Sequence, residues 1–477
     1  MIVTIIDDGV SFNAVSDLLF SLHVGENGEI KEYDCDIDTL SHGSICAGII
    51  RKYAAYTKLG SIKILDTKTK RGDCDNLVKA IYWCIENDVK IINLSLGSVF
   101  VNDYHVLLHA VNMAYKHNII IVSACKNGEI TSYPASFSNV IGVRCDPVLR
   151  GDSYYAYEIN YGGIDFFASS SHEIDILSAA PYQITPICNS YAAPLITAKV
   201  YSILVKHPQL DIDGIKDKLN KLSDMCIHTY KPNIYKSIDW VDGVDVLVFG
   251  DMPFNKMYKK NWNIDKIINI NSLDFIPNET YISRNKAIAI YYSTTIKKNY
   301  LNPLKCKCLI FLNKLNYEYM GKCDNRIFIP TLIDDYFTDE IISYEQPVVA
   351  IIQNMFKLDY LIYVVIRDML MQKGFKVQLF SEHGIDILVG AVFVNNINQY
   401  KYNCINMVEK LGFDFYITHT TIESIVGING FRPDIIICSS DDIKKMSKEI
   451  IKQVQVIETD NYNVTELFQT LCNLICE

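Results

Sequence analysis

The sequence predicts an α/β fold, and three observations carry that expectation. Short apolar runs recur at 3–6, 62–65, 91–94, 119–123 and 140–143. They are apolar throughout and do not alternate with polar residues, as strands covered on both faces require. Helix-length segments separate or follow them at 42–52, 76–87, 104–117, 190–206 and 213–221. Strand and helix in repeated alternation predict a parallel sheet with helices on both faces. The pattern then restarts beyond residue 244, so a second α/β region is expected.

The elements follow in order. The first strand, Val3-Thr4-Ile5-Ile6, runs into Asp7-Asp8-Gly9, so a rigid buried strand ends in a carboxylate. The helix from His42 carries Gly43, Ala47 and Gly48, small residues that let it lie close to the sheet. The helix from Ser190 carries Ala192, Ala193 and Ala198 to the same effect. Around 230–241 the pattern loosens, which sets a domain boundary. We expect domains at 1–235, 244–345 and 346–477. The last holds a strand at 348–352, a helix at 359–373 closed by Gly374, and strands at 376–380 and 434–438.

At 477 residues the chain is too long for one ordinary core. Apolar residues make up 49% and charged residues 21%, a globular balance. The net charge of −10 predicts no nucleic-acid partner. No apolar stretch approaches the roughly 20 residues that cross a bilayer, and no basic segment, apolar segment and cleavage site open the chain. A cytoplasmic location without membrane attachment is therefore expected. The 15 cysteines are an odd number scattered through apolar runs, and they read as core residues of a reducing compartment. Cys306-Lys307-Cys308 has no second pair at zinc spacing, and Asp34, Asp36 and Asp38 lack the glycine turn of a calcium loop. No metal is expected.

Three separated blocks carry chemistry. They are Asp7-Asp8-Gly9, Ser41-His42-Gly43-Ser44-Ile45-Cys46-Ala47-Gly48, and Asn189-Ser190-Tyr191-Ala192-Ala193-Pro194. A serine hydroxyl needs a base to take its proton, and the base needs an anion to fix its tautomer. Ser190, His42 and Asp7 supply those types. Their chain order, Asp then His then Ser, is that of subtilisin; chymotrypsin and the α/β-hydrolases use others.

Over residues 2–206 the chain resembles the subtilase family of serine peptidases. The resemblance implies a subtilisin-like sheet and an endopeptidase activity on a peptide substrate, with Asp7, His42 and Ser190 as the triad. It also implies that Asn127, in Ser123-Ala124-Cys125-Lys126-Asn127-Gly128, donates its side-chain amide to the oxyanion. Asn93-Leu94-Ser95-Leu96-Gly97 resembles the strand that pairs with substrate, so Ser95, Leu96 and Gly97 are expected to bind it. Asp7-Asp8-Gly9 and Cys46 are most like the kexin and proprotein-convertase branch. There the second aspartate receives a basic substrate residue, which gives Asp8, with Glu129, a substrate-binding role; the alternative for Asp8 is a turn residue capping backbone N–H groups. The chain departs from the family at Cys188 (glycine), Asn189 (threonine), Tyr191 (methionine) and Lys126 (glycine). A cysteine at 188 would be strained if the backbone there required a positive φ.

The C-terminal half resembles, through its strand–helix pattern and Arg432-Pro433-Asp434, the degenerate P-loop-like proteins of ribosomal peptide-modification systems. That implies a leader-peptide recognition module or a homodimer-forming region. The loop 353–358 has no glycine, and Lys357 is not followed by Ser or Thr, so neither ATP nor GTP nor any other cofactor is expected. The function these readings give is cleavage of a specific peptide, such as the leader of a ribosomally made, modified peptide. The rival is an inactive protein of the same fold that binds peptides without cutting them.

Overall fold

The computed structural model describes residues 1–25, 27–33, 41–66, 69, 71–127, 132–157, 164–174, 183–226, 234–235, 241, 243–249, 264–270, 287–292, 308–312, 326–328, 347–352, 361–389, 391–393, 414–426, 433–460 and 463–476. The expectations for Asp34, Asp36, Asp38, Glu129, Cys306, Arg432 and the loop 353–358 fall outside them. The chain divides into two compact units, residues 1–232 with 237–240, and residues 233–236 with 241–477.

Among the described residues the main sheet of the first unit has nine strands: β1 (Ile2–Asp7), β2 (Ser21–Val24), β3 (Ile30–Glu32), β4 (Lys58–Lys63), β5 (Ile91–Leu94), β6 (Ile120–Ala124), β7 (Val140–Cys145), β8 (Tyr154–Ala156) and β9 (Ile164–Ala168); a separate antiparallel pair is formed by β10 (Glu173–Ile174) and β11 (Gln183–Ile184). The nine lie in the order β3-β2-β4-β1-β5-β6-β7-β9-β8. Pairings from β2 to β9 are parallel, while β3 and β8 run antiparallel at the two rims. Among the described residues five helices accompany the sheet: α1 (His42–Tyr53), α2 (Cys74–Glu86), α3 (Val101–Lys116), α4 (Asn189–Lys206) and α5 (Ile212–Leu222).

Each strand serves two cores because successive side chains point to opposite faces. Val3 and Ile5 of β1 join residues of α1, α4 and α5, whereas Ile6 joins residues of α2 and α3. Helix α4 is apolar around its circumference and buried along most of its length. A helix of that kind belongs inside a domain.

The strand expected at 62–65 lies earlier, at Lys58–Lys63. Its small residues explain the shift. A side chain at Gly60 would begin 2.1 Å from the Phe20 ring, so a neighbouring phenyl fills the space that an apolar side chain normally marks. Strand β9 also escapes the apolar pattern, because Asp165 lies within it. That carboxylate is buried against Lys216 Nζ at 2.9 Å and accepts the Gly142 N–H at 2.9 Å.

Among the described residues, the second unit contains two six-stranded sheets whose pairings are parallel. One comprises β12 (Ile234–Tyr235), β13 (Val244–Phe249), β14 (Ile264–Ile270), β15 (Ala287–Tyr292), β16 (Cys308–Phe311) and β17 (Arg326–Phe328), in the order β12-β17-β16-β15-β13-β14. The other comprises β18 (Val348–Ile351), β19 (Val377–Ser381), β20 (Val392–Phe393), β21 (Phe415–His419), β22 (Ile435–Cys438) and β23 (Gln455–Glu458), in the order β20-β19-β21-β18-β22-β23. The expected helix before Gly374 is α6 (Ile362–Gln372), and Gly374 supplies the positive φ, 93°, that ends it.

The approach of α1 to the end of β1 is close enough to test. A Cβ on Gly43 would stand 2.5 Å from the Gly9 carbonyl oxygen. Gly43→Ala should therefore lower stability by about 1–3 kcal/mol, the usual cost of overpacking. Chemical denaturation checks this, and an unchanged midpoint would contradict the close approach.

Candidate active site

The site forms where β1 ends and where α1 and α4 begin. Asp7 is the last residue of β1, is fully buried, and faces the first residue of α1. Its two carboxylate oxygens stand 3.0 and 2.9 Å from His42 Nδ1. The Asp8 N–H donates to the same carboxylate at 2.9 Å. The imidazole is held at Nδ1 by the Asp7 carboxylate. The His42 side chain keeps 20% of its surface exposed, so a solvent-facing reactant can reach it.

Ser190 is the second residue of α4, so its N–H is one of those a helix cannot pair internally. Pro194 then has a local effect. Proline has no N–H, and the bond missing from this helix is the one to the Ser190 carbonyl, four residues back. Ser95 Oγ donates to that orphan carbonyl at 2.8 Å, and the Cys46 thiol approaches it at 3.8 Å. In return the Ser190 hydroxyl donates to the Ser95 carbonyl at 3.1 Å. This reciprocal pair fastens the start of α4 to the end of β5. Behind it, Asn93 Nδ2 lies 3.3 Å from Ser95 Oγ, and Thr197 Oγ1 donates to Asn93 Oδ1 at 2.9 Å.

Cys46 marks the point of convergence. A ligand-capable atom from each of Asp7, His42 and Cys46 lies within 4.8 Å of the others, and Cys46 also approaches Ser190. Among the described residues this is the group that could hold a metal ion. Its atoms are already engaged with one another and with Ser95. Burial, and then the Asp7 charge, push the Cys46 thiol well above its ordinary range. At neutral pH it is a protonated donor, bonded to Ser95 Oγ at 3.4 Å.

The other expected site residues fall as follows. Asn127 lies on the surface beside the start of α4, where its Oδ1 accepts the Asn189 N–H at 3.1 Å. With the oxygen so engaged, Nδ2 is the remaining end of the amide. Leu96 is half-buried and Gly97 exposed, just beyond β5. Asp8 is fully buried, and its carboxylate accepts the His42 and Gly43 N–H groups at 3.2 and 2.8 Å. The positive end of α1 claims this carboxylate, so no exposed oxygen is left for a basic substrate residue.

The departures at the nucleophile are accommodated. Cys188 has φ −161° and ψ 157°, an extended conformation open to any residue, so the anticipated strain does not arise. Tyr191 is buried, with its ring 5.2 Å from the His42 ring at a 37° tilt. Lys126 is exposed. Sequence reasoning missed His172, which supports this corner from beneath. It is fully buried, with Nε2 3.0 Å from the Tyr191 carbonyl and Nδ1 3.0 Å from the Tyr53 hydroxyl. No local motif marks it, since both partners are distant in sequence.

The Asp7–His42 pair and the start of the Ser190 helix thus lie at one end of a doubly covered parallel sheet, and comparison with known proteins shows what the chain is similar to. Residues 1–147 match the model of the Subtilase family. The matched residues include Asp7, His42 and Asn127, while Ser190 lies beyond them. The chain is similar to the minor extracellular protease Epr of Bacillus subtilis, 35% identical over 118 residues, which is 22% of this chain and 18% of that protein. It is also similar to subtilisin DY of Bacillus licheniformis, 25% identical over 243 residues, or 46% of this chain and 81% of that one. Among solved structures, Sphericase aligns with a TM-score of 0.38 and 22% identity, covering 46% of this chain and 81% of its own. No helix among the described residues is long and apolar enough to cross a membrane.

His172 yields a pH prediction. Burial pushes its imidazole down to about 4, so the ring binds a proton more readily in the unfolded chain. Its contribution to stability is complete above about pH 6.5 and is lost as pH falls towards 4. The total is roughly 3 kcal/mol at one pKa unit per 1.4 kcal/mol. His172→Gln should flatten the fall in denaturation midpoint between pH 7 and pH 4. An identical slope in the two proteins would contradict the assignment.

Proposed function

We propose that the protein is a serine endopeptidase. One observation supports the reading: Asp7 bonds His42 at the start of α1, and Cys46 of that same helix approaches the Ser190 carbonyl at the start of α4. In this reading Ser190 Oγ attacks the peptide carbonyl while His42 Nε2 takes its proton. Asp7 holds the ring through Nδ1 and stabilises the imidazolium that forms. The Ser190 N–H and Asn127 Nδ2 receive the oxyanion, aided by the positive end of α4. His42 then protonates the leaving amine, and water releases the acyl group by the same route in reverse. Leu96 and Gly97, which follow β5, line the approach to Ser190.

For substrate we read a specific peptide, with the leader of a ribosomally made, modified peptide as the candidate class and the cytoplasm as the setting. This finer reading rests on the resemblance of the C-terminal half.

The rival reading, capture of peptides without cleavage, draws on one observation. The Ser190 hydroxyl donates to the Ser95 carbonyl and must turn towards His42 before it can attack. A fluorophosphonate probe separates the two readings. Folded wild-type protein should take label on Ser190, and Ser190→Ala should take none while remaining folded. Turnover of a cleaved peptide should fall by roughly 10⁶-fold in the same variant, the cost of removing the nucleophile from such a set. Wild-type protein that stays unlabelled, or a Ser190→Ala variant that still cuts, would refute the peptidase assignment.

A further inference from the structure

We infer that Asn189 is a positioning residue which locks the oxyanion-binding amide of Asn127 against the nucleophile helix. The inference rests on the peptidase reading above.

Asn189 is 3% exposed and sits one residue before Ser190. An asparagine side chain has one acceptor oxygen and two N–H donors. Here the oxygen accepts the Cys145 N–H, at the end of β7, at 2.8 Å. The nitrogen donates to the Cys125 carbonyl at 3.1 Å and to the Lys126 carbonyl at 3.0 Å. Both donors are thereby used, and all three partners are main-chain atoms. The fourth bond comes from the residue's own N–H, which donates to Asn127 Oδ1 at 3.1 Å.

These four bonds have one geometric outcome. Residues 125–127 leave β6 and carry Asn127 to the surface, where packing does little to hold it. Asn189 ties two consecutive carbonyls of that segment to the first turn of α4 and braces both against β7. Its main-chain N–H, one residue from the Ser190 N–H along α4, also occupies Asn127 Oδ1, which leaves Nδ2 as the donor end of that amide. The two donors that would share an oxyanion are thus referenced to the same residue. Donors fixed before the reaction are what make such a site effective, because reorienting them during attack would raise the barrier. A shorter side chain at 189 could not reach three main-chain atoms on two segments.

The test uses the full chain and a fluorophosphonate, whose phosphoryl oxygen occupies the oxyanion position when it reacts. Asn127→Ala should slow maximal labelling by about 10²–10³-fold. Asn189→Asp keeps the size and the acceptor for Cys145 but loses both donors to 125 and 126. It should slow maximal labelling by roughly tenfold or more, leave the probe's half-saturating concentration within about threefold, and speed amide exchange at 126 and 127. A donor worth that much in the transition state lowers the rate and spares ground-state binding. In an Asn127→Ala background Asn189→Asp should cost less than about twofold, since residues acting through one group are not additive. Equal losses in both backgrounds, or a loss confined to half-saturation, would overturn the positioning role. So would unchanged labelling in folded Asn189→Asp and in Asn189→Ala. Wild-type protein that takes no label sinks the peptidase reading and the positioning role with it, whereas labelled wild type with additive losses sinks the positioning role alone.

Discussion

A proline inside a helix fixes the geometry of this molecule. Pro194 cannot give a hydrogen to the Ser190 carbonyl, so α4 cannot start where it does unless a donor arrives from elsewhere. Ser95 supplies it from the end of β5. The consequence is registration. The first turn of the most buried helix is set against one strand, and that strand neighbours the one ending in Asp7. A buried carbonyl without a partner costs about 1–3 kcal/mol, enough to disfavour alternative seatings of the helix.

Electrostatics reinforce the same arrangement. Two adjacent buried aspartates would repel if both faced one cavity. Here they point to different partners. Asp7 faces the imidazole, and Asp8 faces the N–H groups that begin α1. The acceptor capacity of Asp8 is used to hold the helix that carries His42, so its contribution to the site is indirect. The Cys46 thiol, kept protonated by burial and by Asp7, adds a donor to this corner and no further negative charge.

Much of this was legible in the residue order, and the gaps have physical causes. Parallel strands such as β5 and β6 declare themselves because both faces are covered and nearly every side chain is apolar. Strand β4 hides because Phe20 fills the room above Gly60, and β9 hides because Lys216 neutralises Asp165 from a distant helix. The element ends at Asp7, His42 and Ser190 were readable because each carries a recognisable local pattern. The direction of the Asp8 side chain was not, since one strand end can send its carboxylate either to a cleft or to a helix. The role of Asn189 was invisible for another reason: its three side-chain partners are main-chain atoms, whose identity leaves no mark in a sequence.

At the two rims of the nine-stranded sheet, β3 and β8 are each three residues long and run against their neighbours. β3 carries Lys31 and Glu32, while Tyr155 of β8 bridges to Met225, a later part of the same chain. Few unpaired main-chain groups are therefore offered at either border. A stranger's extended segment finds little to zip onto, and the sheet is protected from stacking edge to edge into insoluble fibres despite its strongly apolar interior.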